Sequence, residues 1–212
     1  MKIEIRESVM VAITLCGCTA AGKTTLAMAL CHHIPDLAVV HVDSHKLPDE
    51  QCGPIDLQSL PWPRGMPRAF RARGNADLNV PHSIRWQHVE HEVECALQSH
   101  ANVIVEGHLL FSAHPGAARV RQLCSQHVLL DAHEQAKSTL CRRKWTRSHL
   151  GKPSYRSQGV ASDEYAVYWN HYVWPRWIDH SQCLPSDALR LDCLQPTTDI
   201  VDHLLEVEWL RL

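Results

Sequence analysis

Gly17-Cys18-Thr19-Ala20-Ala21-Gly22-Lys23-Thr24 follows a mostly apolar run at residues 9–16 (VMVAITLC) and leads into TTLAMALCHH at 24–33. The first run is short, rich in β-formers and ends at a glycine, which reads as a buried strand. The second has helical character and stops before Pro35. Between them the pattern G-x-x-x-x-G-K-[ST] is complete, and strand, loop and helix stand in the order a phosphate-binding loop requires. Its glycines let successive backbone N–H groups face one anion, and the helix that follows adds its positive end. Lys23 supplies a point cation for the β- and γ-phosphates, and the Thr24 hydroxyl is a ligand for Mg²⁺. ATP is therefore expected along Gly17, Cys18, Thr19, Ala20, Ala21, Gly22, Lys23, Thr24 and Thr25.

Further strands are expected at 37–42 (LAVVHV, stopping at Asp43), 103–105 (closed by Glu106 and Gly107), 128–130 (ending at Asp131) and 189–191. Helices are expected at 83–100 with Ser83 as its cap, at 133–149, at 164–181 as far as Pro175, and at 199–207. Strands alternating with helices imply βαβ units, hence an α/β, three-layer P-loop NTPase fold with a mainly parallel sheet. A length of 212 residues suits one such domain. Residues 47–81 hold Pro48, Pro54, Pro61, Pro63, Pro67 and Pro81 with Gly53, Gly65 and Gly74, a long irregular segment of the kind that serves as a lid or binding loop.

Composition narrows the partners. A formal charge of -2 gives no whole-molecule attraction to nucleic acid or anionic lipid. No apolar run approaches the roughly 20 residues that span a bilayer. Nine scattered cysteines fit reduced thiols in the cytoplasm better than a disulfide framework. Residues 9–15 with Cys16 and Cys18 loosely imitate a signal segment, but Glu4 and Glu7 spoil its basic flank. Nothing in the pattern specifies an oligomer.

In an open parallel sheet, ligands sit beyond the carboxyl ends of the strands. Asp43 and Glu106 stand there, and phosphoryl transfer needs a group to take the acceptor proton and carboxylates around the metal. Asp43 suits the base and Glu106 the metal shell, with Asp43 available to both. Asp131 precedes a helix start and reads as a cap. On the basic helix, Arg143 and Arg147 are spaced i,i+4 on one face, and Lys144 projects about 100° away. Such a pair can clamp triphosphate oxygens, and the polar stretch after it makes residues 142–163 a closing lid; the bland alternative is a solvated surface face.

Four segments together resemble the uridine kinase-like P-loop kinases, and within them nicotinamide riboside kinase: GCTAAGKTT; VVHVDSHKLP; VIVEGHLLF; and CRRKWTR followed by Tyr172-Val173-Trp174-Pro175. The resemblance spans residues 9–194, with its longest departure between 47 and 75. It implies an ATP- and Mg²⁺-dependent kinase acting on the 5′-hydroxyl of a ribosyl compound. It makes Asp43 the proton acceptor, Thr24 and Glu106 members of the metal site, Arg143 and Arg147 ATP contacts, and 192–194 the neighbourhood of the adenine. Lys46 falls in the family's lysine-proline segment on the acceptor side. Two positions depart: where the family has a sugar-gripping aspartate this chain has Asn79, with Asp77 two residues away, and the ribose-binding arginine is Lys144. An Asp–Arg pair become Asn–Lys loses a charge and a bidentate fork, which points to an altered acceptor.

Other features carry bland readings. His82, His88, His91, Glu92 and Glu94 can be a metal cluster or the wet face of a helix, and Trp145, Trp169, Trp174 and Trp177 can stack on a ligand or pack the core. Cys18 is either an activated thiol at a helix N-terminus or an inert small residue. Two rivals to a ribosyl kinase stand: a P-loop kinase with a non-ribosyl acceptor, and a nucleotide-binding switch without turnover.

Overall fold

The computed structural model describes residues 11–55, 60–61, 76–148 and 154–206. Glu4, Glu7, the start of the first expected strand, most of the proline-rich segment and residues 149–153 of the expected lid lie outside the described residues. Five strands form one parallel sheet in the order β2-β3-β1-β4-β5. They are β1 (Val11–Gly17), β2 (Leu37–His41), β3 (Asn102–Gly107), β4 (Gln126–Asp131) and β5 (Leu189–Asp192). Every residue of β1 and β3 is buried, as expected of central strands covered on both faces. Helix α1 (Lys23–Leu30) packs with α7 (Thr197–Glu206), while α2 (Trp86–Ser99) packs with α3 (Pro115–Gln122). This is the α/β architecture expected from the alternation of elements. In it β1, β2 and β3 end side by side, with Cys16 in register with Gly107 and His41 with Glu106. Among the described residues, no helix is long and apolar enough to cross a membrane.

Several local expectations are corrected. Ser83 does not cap α2: it lies in the 3₁₀ turn Pro81–Ser83, its hydroxyl donates to the Val80 carbonyl at 2.7 Å, and Arg85 is the N-cap residue. Asp131 is not a cap either, because its carboxylate accepts from Arg190 of β5 at 2.8 and 3.1 Å, a neighbour-strand pair invisible to local spacing. Helix α3 went unread: its arginines mask a short apolar face, although Pro115 at its first turn is a start signal. The basic helix α4 (Lys137–Thr146) ends one residue before Arg147, whose backbone is extended, so Arg147 does not share a helical face with Arg143.

Pro175 does not end the helical run. Helix α5 (Ser162–Tyr168) passes through a π turn (Trp169–Val173) into α6 (Trp174–His180). Proline lacks a donor and crowds the carbonyl four residues back, and the widened turn accommodates both defects. Trp169, Trp174 and Trp177 are buried there, in the packing role.

Candidate functional site

The loop after β1 adopts the cradle that its sequence requires. Gly22 has φ 97° and Ala20 φ 67°, alternating left-handed residues that turn backbone N–H groups towards a common centre. Lys23 Nζ donates to the carbonyls of Gly17 and Cys18 at 2.9 and 3.0 Å, which folds the ammonium over the cradle. Cys18 is fully buried, and burial pushes its thiol up to about 12, so it is the inert small residue.

At the strand ends, Glu106 Oε1 accepts from the Thr24 hydroxyl at 2.9 Å and from His41 Nδ1 at 2.8 Å. Burial alone would raise the Glu106 carboxyl; His41, Lys23 and Thr24 outweigh it and hold it below the usual range. The same bond raises His41 above an ordinary histidine. Asp43 sits in the 3₁₀ turn Val42–His45 that follows β2. Its Oδ1 lies 3.2 Å from Lys46 Nζ, an ion pair, and 3.3 Å from His108 Nδ1, neither with aligned hydrogen-bond geometry, and burial lowers the His108 imidazole below an ordinary histidine. Burial pulls against ionisation here too, yet His108, Lys46 and Lys23 keep Asp43 ionised and well below its ordinary value. Thr24 and Glu106 therefore present hard oxygen donors in mutual contact, with the Asp43 carboxylate in electrostatic reach, a donor set that fits Mg²⁺.

Cations converge on the same place. Burial, then the neighbouring Lys46 and Arg147 charges, lower the Lys144 ammonium to about 8. Arg143 Nη1 reaches the Cys193 carbonyl at 3.5 Å. Arg143, Thr146 and Arg147 line a cleft of about 520 Å³ with Ala20, Gly22, Thr25 of the loop and the 193–197 turn after β5. That volume lies within the range of small-ligand pockets. The expected lid, where described, is fastened beside it: Trp145 Nε1 donates to the Val160 carbonyl at 2.9 Å, and Arg156 N donates to the Trp145 carbonyl at 3.0 Å.

At the positions expected to meet the acceptor, Asn79 Nδ2 donates to the Tyr168 hydroxyl at 3.2 Å, its N–H donates to Asp77 Oδ1 at 3.1 Å, and its carbonyl receives His180 Nε2 at 3.0 Å. Asp77 is buried and pairs with Arg176 Nη2 at 3.2 Å, and that guanidinium lies 4.4 Å over the Tyr172 ring. Asp77 and Asn79 thus share one network with α5 and α6. Sequence reasoning passed over His41, His108 and Arg176. Two of them had a signal in the chain, His41 inside the otherwise apolar LAVVHV run and His108 heading the LLF run after Glu106-Gly107, whereas Arg176 is brought by helix packing. The α2 histidines do not assemble a centre: among the described residues, no group of three His, Cys, Asp or Glu side chains is placed to hold a metal, and Glu92 pairs instead with His45.

No protein-family model and no curated protein matches the chain. Solved structures do. A protein described as a fructose transport system kinase from Silicibacter sp. TM1040 is similar at TM-score 0.57 and 16% identity, over 88% of this chain and 92% of that one. Shikimate kinase from Bacteroides thetaiotaomicron is similar at TM-score 0.56 and 17% identity, over 95% and 99%. A sugar kinase from Janibacter sp. HTCC2649 is similar at TM-score 0.55 and 16% identity, over 95% of each chain. The shared property at this identity is the fold.

Proposed function

We propose that this chain transfers the γ-phosphoryl group of ATP to a hydroxyl of a small ribosyl-like metabolite, with nicotinamide riboside and nucleosides as first candidates. The observation that carries the reading is Asp43: an ionised carboxylate at the mouth of a phosphate-binding loop, ringed by Lys23, Lys46 and His108 and adjoining the Thr24–Glu106 pair. A carboxylate so placed can join the metal shell, which a nucleotide-binding switch would use as well, and it can also accept a proton from a hydroxyl. A switch that only binds nucleotide does not need that second role.

In this reading Gly17–Thr25 backbone donors and Lys23 hold the triphosphate, and Arg143 and Arg147 line the nucleotide cleft and neutralise charge on the moving phosphoryl group. Thr24, Glu106 and Asp43 hold Mg²⁺, which when bound shields the phosphate charge from the incoming nucleophile. Asp43 orients the acceptor hydroxyl and takes its proton. Lys46, Asn79 and Lys144 face the acceptor. A low pKa makes Asp43 a weak base, which suits a loose transition state in which the proton leaves late.

One observation favours a non-ribosyl acceptor as second reading. The Asn79 amide is engaged with Tyr168, and Asp77 with Arg176, so the carboxylate that grips ribose in the resembled family has no free counterpart at either position. Shikimate kinase and a sugar kinase share the fold, which keeps such acceptors in the panel. The test is ADP release from Mg-ATP with nicotinamide riboside, uridine, sugars and hydroxy acids, for the natural chain and Asp43→Asn. Acceptor-dependent turnover that falls about 10²- to 10⁴-fold in the variant, with ATP affinity kept, supports the kinase. Nucleotide binding with no acceptor-dependent turnover supports the switch.

A further inference from the structure

Two donors meet on one oxygen of the Glu106 carboxylate. Oε1 accepts from the Thr24 hydroxyl at 2.9 Å and from His41 Nδ1 at 2.8 Å. Oε2 has no hydrogen-bond partner among the described residues. The first donor belongs to the phosphate loop and its helix; the second comes from another strand. β2 and β3 run parallel with His41 in register with Glu106. Register partners point to the same face of a sheet, and neighbouring strands lie about 4.8 Å apart, so the imidazole reaches the carboxylate by crossing a single strand spacing. A slip of one residue in β2 would turn that ring to the opposite face.

The terminal torsion of a glutamate is broad and roughly two-fold, so its carboxylate plane is free until something fixes it. With Thr24 as the one partner, a half-turn would exchange Oε1 and Oε2 at little cost. With Thr24 and His41 both on Oε1, the same turn breaks two hydrogen bonds to a charged group. The hydroxyl is oriented as well: while Thr24 gives its hydrogen to Oε1, its oxygen lone pairs stay available to a cation. Neutral and charged imidazole alike can donate from Nδ1, so the arrangement does not depend on the charge of the ring. The His41 side chain is 36% exposed against 7% for Glu106, so its loss opens no core cavity.

We infer that His41 is a positioning residue of the metal site, holding the Glu106 carboxylate so that Oε2 and the Thr24 oxygen are presented together to Mg²⁺. The inference rests on the place that the kinase reading gives Thr24 and Glu106, and it adds a residue assigned no contact with nucleotide or acceptor. It also gives the end of β2 two tasks: His41 sets the metal carboxylate, and Asp43, in the turn that follows, is the carboxylate proposed to meet the acceptor hydroxyl.

Substitution separates the hydrogen bond from charge and from packing. His41→Asn keeps an N–H donor close to the place of Nδ1 without a charge, whereas His41→Leu and His41→Ala remove the donor. Each full-length variant would be titrated calorimetrically with an ATP analogue blocked at the β–γ bridge, once with Mg²⁺ and once with EDTA, and melted alongside. We expect the affinity gained from Mg²⁺ to fall about 10-fold in His41→Leu and His41→Ala, the low end of what residues orienting metal ligands supply. Affinity in EDTA should stay constant, and His41→Asn should recover most of the loss. A residue acting on stability alone would lower the melting temperature and leave the Mg²⁺-dependent gain intact. An unchanged gain in the truncations, equal losses in all three variants, or an equal loss in EDTA would overturn the inference. One truncation stands in if the other fails to fold; if neither folds, His41 is a structural residue and the inference falls. The binding arm needs no acceptor, so the two readings fail separately. A His41-dependent Mg²⁺ gain without acceptor-dependent ADP release sinks the kinase reading and leaves the positioning role, whereas acceptor-dependent turnover with an unchanged Mg²⁺ gain does the reverse.

Discussion

Gly107→Ala tests whether the strand ends set the site. Gly107 ends β3 between Glu106 and His108, and a Cβ built there would stand 2.7 Å from Val42 Cβ and 2.9 Å from its Cγ2. Ordinary contact begins near 3.4 Å, so the ends of β2 and β3 must part by about 0.7 Å. Val42 is fully buried and immediately precedes Asp43, so it cannot swing into solvent and must carry Asp43 with it. Overpacking of this kind costs about 1–3 kcal/mol, and at about 2–4 °C per kcal/mol for a chain of this size the melting temperature should fall by about 2–12 °C. A displacement approaching 1 Å between reacting groups costs up to about 100-fold in rate, so kcat should drop about 10- to 100-fold. Nucleotide affinity should hardly change, because the phosphate loop lies on the β1 side of the insertion. Differential scanning fluorimetry, ATP titration and acceptor-dependent ADP release read the three quantities. Val42→Gly in the same chain removes the clashing atoms and should recover much of kcat, though strand glycine limits the recovery of stability. Normal melting and normal turnover in Gly107→Ala would refute the packing argument. Loss of ATP binding in parallel with turnover would show that the damage is global and that the reasoning about Asp43 is wrong.

Three further outcomes follow from single residues. Ala20 holds φ 67° at a position that favours glycine, so Ala20→Gly should raise stability by about 0.5–1 kcal/mol in a thermal melt; a lower melting temperature would contradict it. Asp36 accepts from the Ala101 N–H and from His100, and these bonds lower its carboxyl below 3.8; the stability it adds is therefore present above that pH and lost as pH falls through the lowered value. The melting difference between the natural chain and Asp36→Asn should shrink between pH 6 and pH 3, and a difference constant across that range would sink the assignment. Lys144, lowered to about 8 by burial and by Lys46 and Arg147, loses charge as pH rises through that value, with Asp43 acting the other way. Triphosphate binding near pH 8 should restore its proton, giving a net uptake seen as buffer-dependent calorimetric heat, and Lys144→Arg should abolish that uptake.

The phosphate loop was legible because its chemistry is local: each residue's task is set by its neighbours in the chain, and the loop is closed by its own backbone. The parallel sheet was legible for a related reason, since strands buried on both faces read as unbroken apolar runs. Asp43 and Glu106 could be named from their position at strand ends, but position alone did not separate them from Asp131. What separates them lies on other strands and helices: His41, Lys46 and His108 gather at the first two, whereas Arg190 claims the third. The same limit hid the end of α4 before Arg147, where helical spacing continued past the residue at which the backbone turned extended. Register, helix packing and helix termination are tertiary decisions, and the residues they recruit carry little signal in the chain.

The two acceptor-side departures from the resembled family take on a common meaning in three dimensions. Asn79 and Asp77 are joined by an N–H to carboxylate bond, and each is then tied to the α5–α6 run through Tyr168, His180 or Arg176. A residue cross-linking two elements is not available to follow a sugar as it binds. Lys144, conversely, is half-buried beside the Lys46 and Arg147 charges, with Asp43 as the nearby carboxylate. The negative charge at this end of the site has been spent on holding the protein together, while the positive charge stays directed inward. The balance disfavours a cationic acceptor beside Lys144 and favours a neutral or anionic one. Within the first candidates, uridine should therefore be preferred over nicotinamide riboside, whose pyridinium would add a charge to a region already short of counter-charge.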